Sequence, residues 1–379
     1  MMGLSAYGSK NFSLKNKISN LINYSNFKLK LNLKFFDFPF VNKRFFKDEE
    51  IHYANLFSEN LQDYLGIKKS NEFKYTKEFA DIAFTVQEVY EDIFLSILND
   101  LYKKYSNVNL CFSGGCALNS KANGRIKKDT KFKNIFIPSE PGDAGGAIGA
   151  ALSFYYKKNS VKKKIFQPNP YLSPETNSNI LQEQLNFYEK NNKIKFYKFE
   201  SDSEMYDKIS DIIIDNNVIG WFQDRMEFGP RALGNRSILM DPRNNKAKDI
   251  LNLKIKLRES YRPFAPSIIE NYLDEWFENA NLSPYMNFVF TIKEEKRSII
   301  PAVCHVDNTG RVQTVNKKDN EKFFNLINSF FQKTGVPILL NTSFNENEPI
   351  VFTPKEAIET FLRTKMDYLV IQKYLISRV

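Results

Sequence analysis

Cysteine and long apolar runs are scarce in this 379-residue chain, and each scarcity removes a class of protein. The three cysteines, Cys111, Cys116 and Cys304, form neither a Cys-x-x-Cys pair nor an even disulfide framework, which points to a reduced, cytoplasmic setting. No apolar stretch approaches the roughly 18 residues that a membrane span needs. Residues 1–8 lack a charged segment leading into an apolar one, so a secretory signal is not expected either. Internal repeats and low-complexity tracts are also missing.

Apolar residues make up 42% of the chain and aromatics 15%, a globular composition, and the length exceeds one ordinary core, so two domains are expected. The net charge of +10, from 54 basic and 44 acidic residues, could suggest nucleic acid. However, residues 225–262 hold ten basic and four acidic side chains, so six of the ten net charges fall in one segment. A focused excess suits an anion site, and no specific nucleic-acid partner is expected. The short runs Lys127-Lys128 and Lys162 to Lys164 read as solvated.

The first half has an α/β rhythm. Thr76 is placed to cap a long helix in which Phe79, Ile82, Ala83, Val86, Val89, Tyr90, Ile93, Ile97 and Leu101 recur at three- and four-residue intervals. Val108, Leu110 and Phe112 then alternate as a strand that enters Ser113-Gly114-Gly115 and a helix through Leu118, Ala122 and Ile126. A second strand over 135–137 leads through Pro141-Gly142-Asp143 into a small-residue helix over 144–156. Strand, glycine loop and helix, twice over, imply parallel strands with ligand sites at their C-terminal ends. Asp143 could hold a metal ion or simply cap the next helix. Residues 157–174 are polar, basic and proline-bearing, and read as a crossover between domains.

Beyond the crossover, Met205, Ile209, Ile212 and Ile213 fit a helix, and 218–222 and 336–340 fit buried strands. The first of these strands opens onto Gly229-Pro230-Arg231-Ala232-Leu233-Gly234-Asn235-Arg236-Ser237, and Lys256, Arg258 and Arg262-Pro263-Phe264 follow. Arginines beside Gly and Pro sit on shaped backbone, and planar guanidiniums with one lysine are what phosphate or carboxylate groups require. A basic surface loop is the plainer alternative. The second strand opens onto Asn341-Thr342-Ser343-Phe344-Asn345, polar residues poised for a ligand or for an ordinary turn.

Residues 221–237, 258–266, 305–313, 339–344 and 348–351 together resemble the signature of the O-carbamoyltransferases of nodulation-factor and antibiotic biosynthesis. Residues 111–119 and 138–151 resemble the end of that family's first domain, and even residues 2–8 resemble a segment from inside it. The resemblance implies an α/β chain made of the C-terminal half of an actin/sugar-kinase-like domain, over 1–160, followed by a threonylcarbamoyl-adenylate synthase-like (YrdC-like) domain over 161–379. It implies carbamoyl-adenylate formation from carbamoyl phosphate and ATP, with Mg2+ accompanying ATP, and then transfer to an acceptor hydroxyl with the help of an iron-type metal ion. Arg231, Lys256, Arg262 and Arg311 would be the catalytic cations. Arg236, Asn341, Ser343, Gly114, Gly115 and Asn119 would bind substrate or nucleotide, and Asp143 would be a metal ligand.

One departure stands out. The family's paired-histidine metal motif has no counterpart here, because the two histidines, His52 and His305, lie far apart and outside that pattern. One carboxylate does not make a tight site, so Fe2+ binding is expected to be incomplete. The first domain is accordingly expected to be truncated, with a separately encoded N-terminal half as a possible partner that covers apolar surface over 1–75. Two other readings stay open: a threonylcarbamoyl-adenylate synthase-like enzyme of tRNA modification, and a non-catalytic nucleotide-binding fragment.

Overall fold

The computed structural model describes every residue except 38–43, 48–49, 54–55, 68–75 and 160–168, together with the side chains of 44–47, 50–53 and Lys254. Part of the expected crossover, and His52 as a side chain, thus lie outside the described residues. Packing divides the chain into one unit of residues 1–108 and 129–132 and a second of residues 109–128 and 133–379.

The first unit contains helices α1 (Met2–Ser5), α2 (Phe12–Ser19), α3 (Glu59–Leu65) and α4 (Lys77–Tyr105), with hairpins β1 (Ile22–Ser25)–β2 (Lys28–Leu31) and β3 (Arg44–Lys47)–β4 (Glu50–Tyr53). Thr76 caps α4 as expected, its hydroxyl accepting from the Phe79 amide. The buried stripe of α4 runs through Ala80, Ala83, Val89, Phe94, Leu95 and Leu98, so only Ala83 and Val89 of the expected positions are fully covered. Tyr24 donates to the Asp100 carboxylate, and Lys15 reaches Glu88 and Asp92, tying β1 and α2 to α4. Phe12, Phe27, Leu29, Leu33, Leu56 and Phe57 are exposed.

The second unit starts with two parallel strands, β5 (Asn109–Cys111) and β6 (Asn134–Phe136), in the order the glycine loops imply. Helices α5 (Ser120–Asp129) and α6 (Gly146–Asn159) follow them in turn. Next come α7 (Ser178–Lys190), β7 (Ile194–Lys198), α8 (Asp202–Ile214), β8 (Ile219–Phe222), β9 (Arg236–Met240), α9 (Ala247–Lys254) and β10 (Ala265–Ile269). The rest is α10 (Leu273–Trp276), β11 (Phe288–Thr291), α11 (Glu294–Arg297), β12 (Thr309–Val315), α12 (Glu321–Thr334), β13 (Ile338–Ser343), α13 (Pro354–Arg363), β14 (Tyr368–Ile371) and β15 (Tyr374–Arg378). Strands β7–β15 form a nine-stranded sheet in the order β11-β12-β10-β13-β9-β8-β14-β15-β7. It is mixed, with β10–β12 and β8–β14 parallel and the remaining pairs antiparallel. Beneath it, α12 buries Phe323, Leu326, Ile327 and Phe330, spaced at helical intervals. Each such side chain contributes roughly 1.5–3 kcal/mol from lost apolar exposure.

The β5–β6 segment is built onto this sheet. Asn123 donates to the Ala117 and Asn287 carbonyls at 2.7 and 2.9 Å, and Asn287 donates to Ile137 O and Pro138 O. A Cβ at Gly124 would come within 2.0 Å of Val289 O, so α5 lies against β11 at a distance only glycine permits. No described helix is long and apolar enough to cross a membrane.

Candidate anion site

Because side chains alternate along a strand, Gln313 on β12, Ser267 on β10 and Asn341 on β13 share one face of the sheet, and they bond to one another. The loop between β8 and β9 lies on that polar face. Asn341 donates to Ala232 O at 3.2 Å, Gln313 to Leu233 O at 2.8 Å and Trp221 to Gly234 O at 2.9 Å. From the other side, the Glu227 carboxylate accepts from the Leu233, Asn235 and Arg236 amides, and Ser237 Oγ accepts from Gly234 N. A strap over 169–175 closes over it: Tyr171 OH donates to Leu233 O at 2.9 Å and Phe228 N to Pro170 O at 2.6 Å. Gly229 and Gly234 take positive φ, and a Cβ on either would run into Ser139 O or the Phe323 ring. The loop is therefore a fixed platform.

From this platform Arg231 projects into a group of cations. Burial lowers the Arg231 guanidinium, with Glu140 the acid acting on it. On β12, Arg311 is driven well below the ordinary arginine value by burial, and by the like charges of Arg231 and Arg258. Burial, then Arg262, pushes Arg258 down to about 10. Arg258 stacks on the Phe264 ring at 4.9 Å and donates to Asn252 Oδ1, which orients its fork. Among the described residues none of Arg231, Arg258 and Arg311 forms an ion pair, and the buried Arg311 Nε has no acceptor. The like charges of these half-buried guanidiniums oppose one another, offset by Glu140 at Arg231 and Glu259 at Arg258, and an anion would relieve them further. Arg262 stands at the edge, half-exposed and paired with Glu259 at 2.7 Å.

The other expected site residues divide. Lys256 is buried and points away from open space: its Nζ sits among Ser343 O, Ser343 Oγ, Asn345 O and Asn345 Oδ1 at 2.5–3.2 Å. Burial, with Arg258 nearby, lowers its ammonium to about 7. Its observed contacts hold the loop after β13 in shape. Arg236 is spent on the carbonyls of Gln223, Asn235 and Asp224 and on the Phe222 ring at 3.4 Å, and burial lowers it to about 10. Asn341 holds the arginine loop and keeps one buried oxygen, Oδ1, unpartnered. Ser343 Oγ donates to Asn345 Oδ1.

At the end of β5, Gly114 has φ +95° and its amide is taken by Pro141 O at 2.7 Å, whereas Gly115 has open space around it. Asn119 Oδ1 accepts from Ala122 N and so starts α5. Asp143 is exposed, and no cluster of three or more His, Cys, Asp or Glu side chains that could hold a metal ion occurs among the described residues. The described residues gather no iron site. His305 lies near Arg311 and Lys248, and burial lowers it to about 4; its Nδ1 meets Thr309 Oγ1, which donates to Asp307. Asp307 in turn pairs with Lys121 of α5 at 3.0 Å.

Two clefts lie elsewhere in this unit. One of about 920 Å³ is bounded by Arg225, Lys322, Lys373 and Tyr374, and another of about 320 Å³ by Tyr171, Tyr285 and Asn316. Neither is lined by Arg231, Arg258 or Arg311, and the chemistry of the cations outweighs cavity size in choosing the site. Arg258 belongs to the basic segment read from the sequence, though no role was given to it there. Two contributors are missing from the expected set, and Gln313 is signalled by its alternation with Arg311. Glu227 shows no signal beyond being acidic in the basic segment.

The α/β unit thus brings Arg231 of the loop, Arg258 after α9 and Arg311 of β12 together. Comparison with known proteins gives the family. Residues 210–378 match the family model for the carbamoyltransferase C-terminus, and residues 1–152 match that for the carbamoyltransferase N-terminus. The chain belongs to the carbamoyltransferase family. It is 37% identical over 405 residues to an uncharacterized protein of Synechocystis sp., covering 100% of this chain and 63% of that one. With nodulation protein NolO of Bradyrhizobium diazoefficiens it shares 39% over 308 residues, 80% of this chain and 56% of NolO. With nodulation protein U of Sinorhizobium fredii it shares 32% over 240 residues, 62% and 39% of the two chains. The chain thus spans between 39% and 63% of these relatives' length. Among solved structures, full-length HypF in its phosphate- and nucleotide-bound form overlaps 48% of this chain and 22% of its own, at TM-score 0.32 and 14% identity.

These matches correct two expectations. Both family domains are represented along the chain, so they lend no support to a truncated first domain. Neither family description extends to an actin/sugar-kinase-like or threonylcarbamoyl-adenylate synthase-like assignment. The family matches leave a gap between residues 152 and 210, whereas packing joins 109–128 and 133–159 to the C-terminal part.

Proposed function

We propose that the protein is an O-carbamoyltransferase that activates its carbamoyl group as an adenylate. In this reading carbamoyl phosphate, ATP and water give carbamoyl-adenylate, phosphate and pyrophosphate. An acceptor hydroxyl then attacks the carbamoyl carbon and AMP leaves. The observation that carries the reading is the group of Arg231, Arg258 and Arg311, close enough to lower one another's basicity and, among the described residues, without an ion pair of their own. Forked guanidiniums suit the phosphate and carbamate oxygens, and their charge stabilises the negative charge that grows at the adenylating centre. Arg262 releases Glu259 to join them. Lys256, Asn341 and Ser343 maintain the shape of the floor. No protein nucleophile is required, because positioning and electrostatics supply the rate. The acceptor step is assigned to no metal ion, since the described residues do not form a site for one.

The test is to incubate the full chain with ATP and radiolabelled carbamoyl phosphate and to follow pyrophosphate release and labelled adenylate. Pyrophosphate release that depends on carbamoyl phosphate is expected. Release that instead requires threonine and bicarbonate, or none at all, would overturn the reading.

A further inference from the structure

Glu227 is a carboxylate buried beneath the arginine loop, and it makes contacts that stability alone does not explain. Its Oε1 accepts three backbone amides, Leu233 at 2.5 Å and Asn235 and Arg236 at 3.4 Å. Its Oε2 is buried with no donor. An uncompensated carboxylate oxygen in the interior costs stability, so a neutral or apolar residue would make a more stable protein. What the carboxylate provides is direction: it draws the amides of Leu233, Asn235 and Arg236 inward, while Asn341, Gln313, Trp221 and Tyr171 take the carbonyls of 232–234. With both sides of these peptide planes held, the backbone that follows Arg231 is restrained. The hinge-like glycines at 229 and 234 would otherwise let it rotate.

We propose that Glu227 is a positioning residue that sets the aim of Arg231 into the anion site through the amides of Leu233, Asn235 and Arg236. The inference rests on the carbamoyl-transfer reading for its kinetic arm, but not for its structural arm. Burial holds the Glu227 carboxyl above its ordinary value, so its proton is returned more readily than from an exposed glutamate and the clamp loosens toward acid pH.

The experiment uses the full chain with Glu227→Gln, which keeps the volume and one acceptor, and Glu227→Asp, which keeps the charge but is one methylene short. Backbone hydrogen exchange of 231–236, calorimetric titration with inorganic phosphate, and steady-state pyrophosphate release are measured for each. In E227Q, exchange protection at Leu233, Asn235 and Arg236 should drop by about tenfold or more, and phosphate should bind about five- to tenfold more weakly. The turnover number should fall about 100-fold, while KM for carbamoyl phosphate rises no more than about tenfold, because misaim costs most in the transition state. E227D should fall in the same direction, and it carries the test should E227Q not fold. Protection and phosphate affinity equal to wild type would overturn the proposal, as would a lower melting temperature accompanied by unchanged turnover. If wild type itself releases no pyrophosphate, the transfer reading fails, and exchange with phosphate affinity alone decides the role of Glu227.

Discussion

A Cβ on Gly234 would lie 2.2 Å from Cδ1 of Phe323, so the arginine loop and the core face of α12 meet at a distance that excludes any larger residue. Gly234 also has φ +103°, a conformation that strains other residues. Gly234→Ala should therefore cost roughly 2–4 kcal/mol through overpacking and backbone strain together. Urea denaturation of the purified variant checks this, and a midpoint unchanged from wild type would refute it.

The guanidiniums are not equivalent. Arg311 is buried without an acceptor at Nε, whereas Arg262 is half-exposed and occupied by Glu259. Arg311→Ala and Arg231→Ala should each weaken transition-state binding by roughly 2–4 kcal/mol, and Arg262→Ala by less. Lysine at 231 should rescue poorly because a point charge cannot form the fork. Single-turnover adenylate formation for the four variants gives the order, and equal losses at 262 and 311 would argue against it.

Lys256 binds four acceptors around Ser343 and Asn345. Lys256→Met keeps the stem but strands those oxygens, and should destabilise the unit by roughly 2–4 kcal/mol. Calorimetric melting measures the loss. A melting temperature at the wild-type value would show that the four contacts contribute nothing.

His305 offers a pH test. Burial keeps it neutral until about 4, while in the unfolded chain it takes a proton near its ordinary 6.5. The unfolded state thus binds more protons across that window, so stability is complete above 6.5, drains as pH falls toward about 4 and changes no further below it through this group. His305→Gln should remove this loss, which is on the order of 3 kcal/mol across the window. Denaturation midpoints across this pH range decide it, with parallel curves counting against the assignment.

Much of the architecture was legible because it follows from local rules. Thr76 marked the start of α4, alternation marked β5, short apolar runs marked β6 and β13, and Gly-Pro beside Arg231 marked a shaped loop. Residue types and spacing carry that information over a few positions, and they also brought Arg231, Arg258 and Arg262 into view as candidate anion-binding cations, with Arg311 added by the family resemblance. Roles were harder to read. Lys256 and Arg236 have the same charge as Arg231, yet both are buried against carbonyl oxygens, and Arg258 takes a place among the cations instead. Glu227, Gln313 and Tyr171 hold the loop from separate parts of the chain, and their partners are set by strand register and by the strap over 169–175. Whether a cation faces an anion or a carbonyl depends on which oxygen the packed sheet delivers to it, and that pairing arises only when distant segments come together.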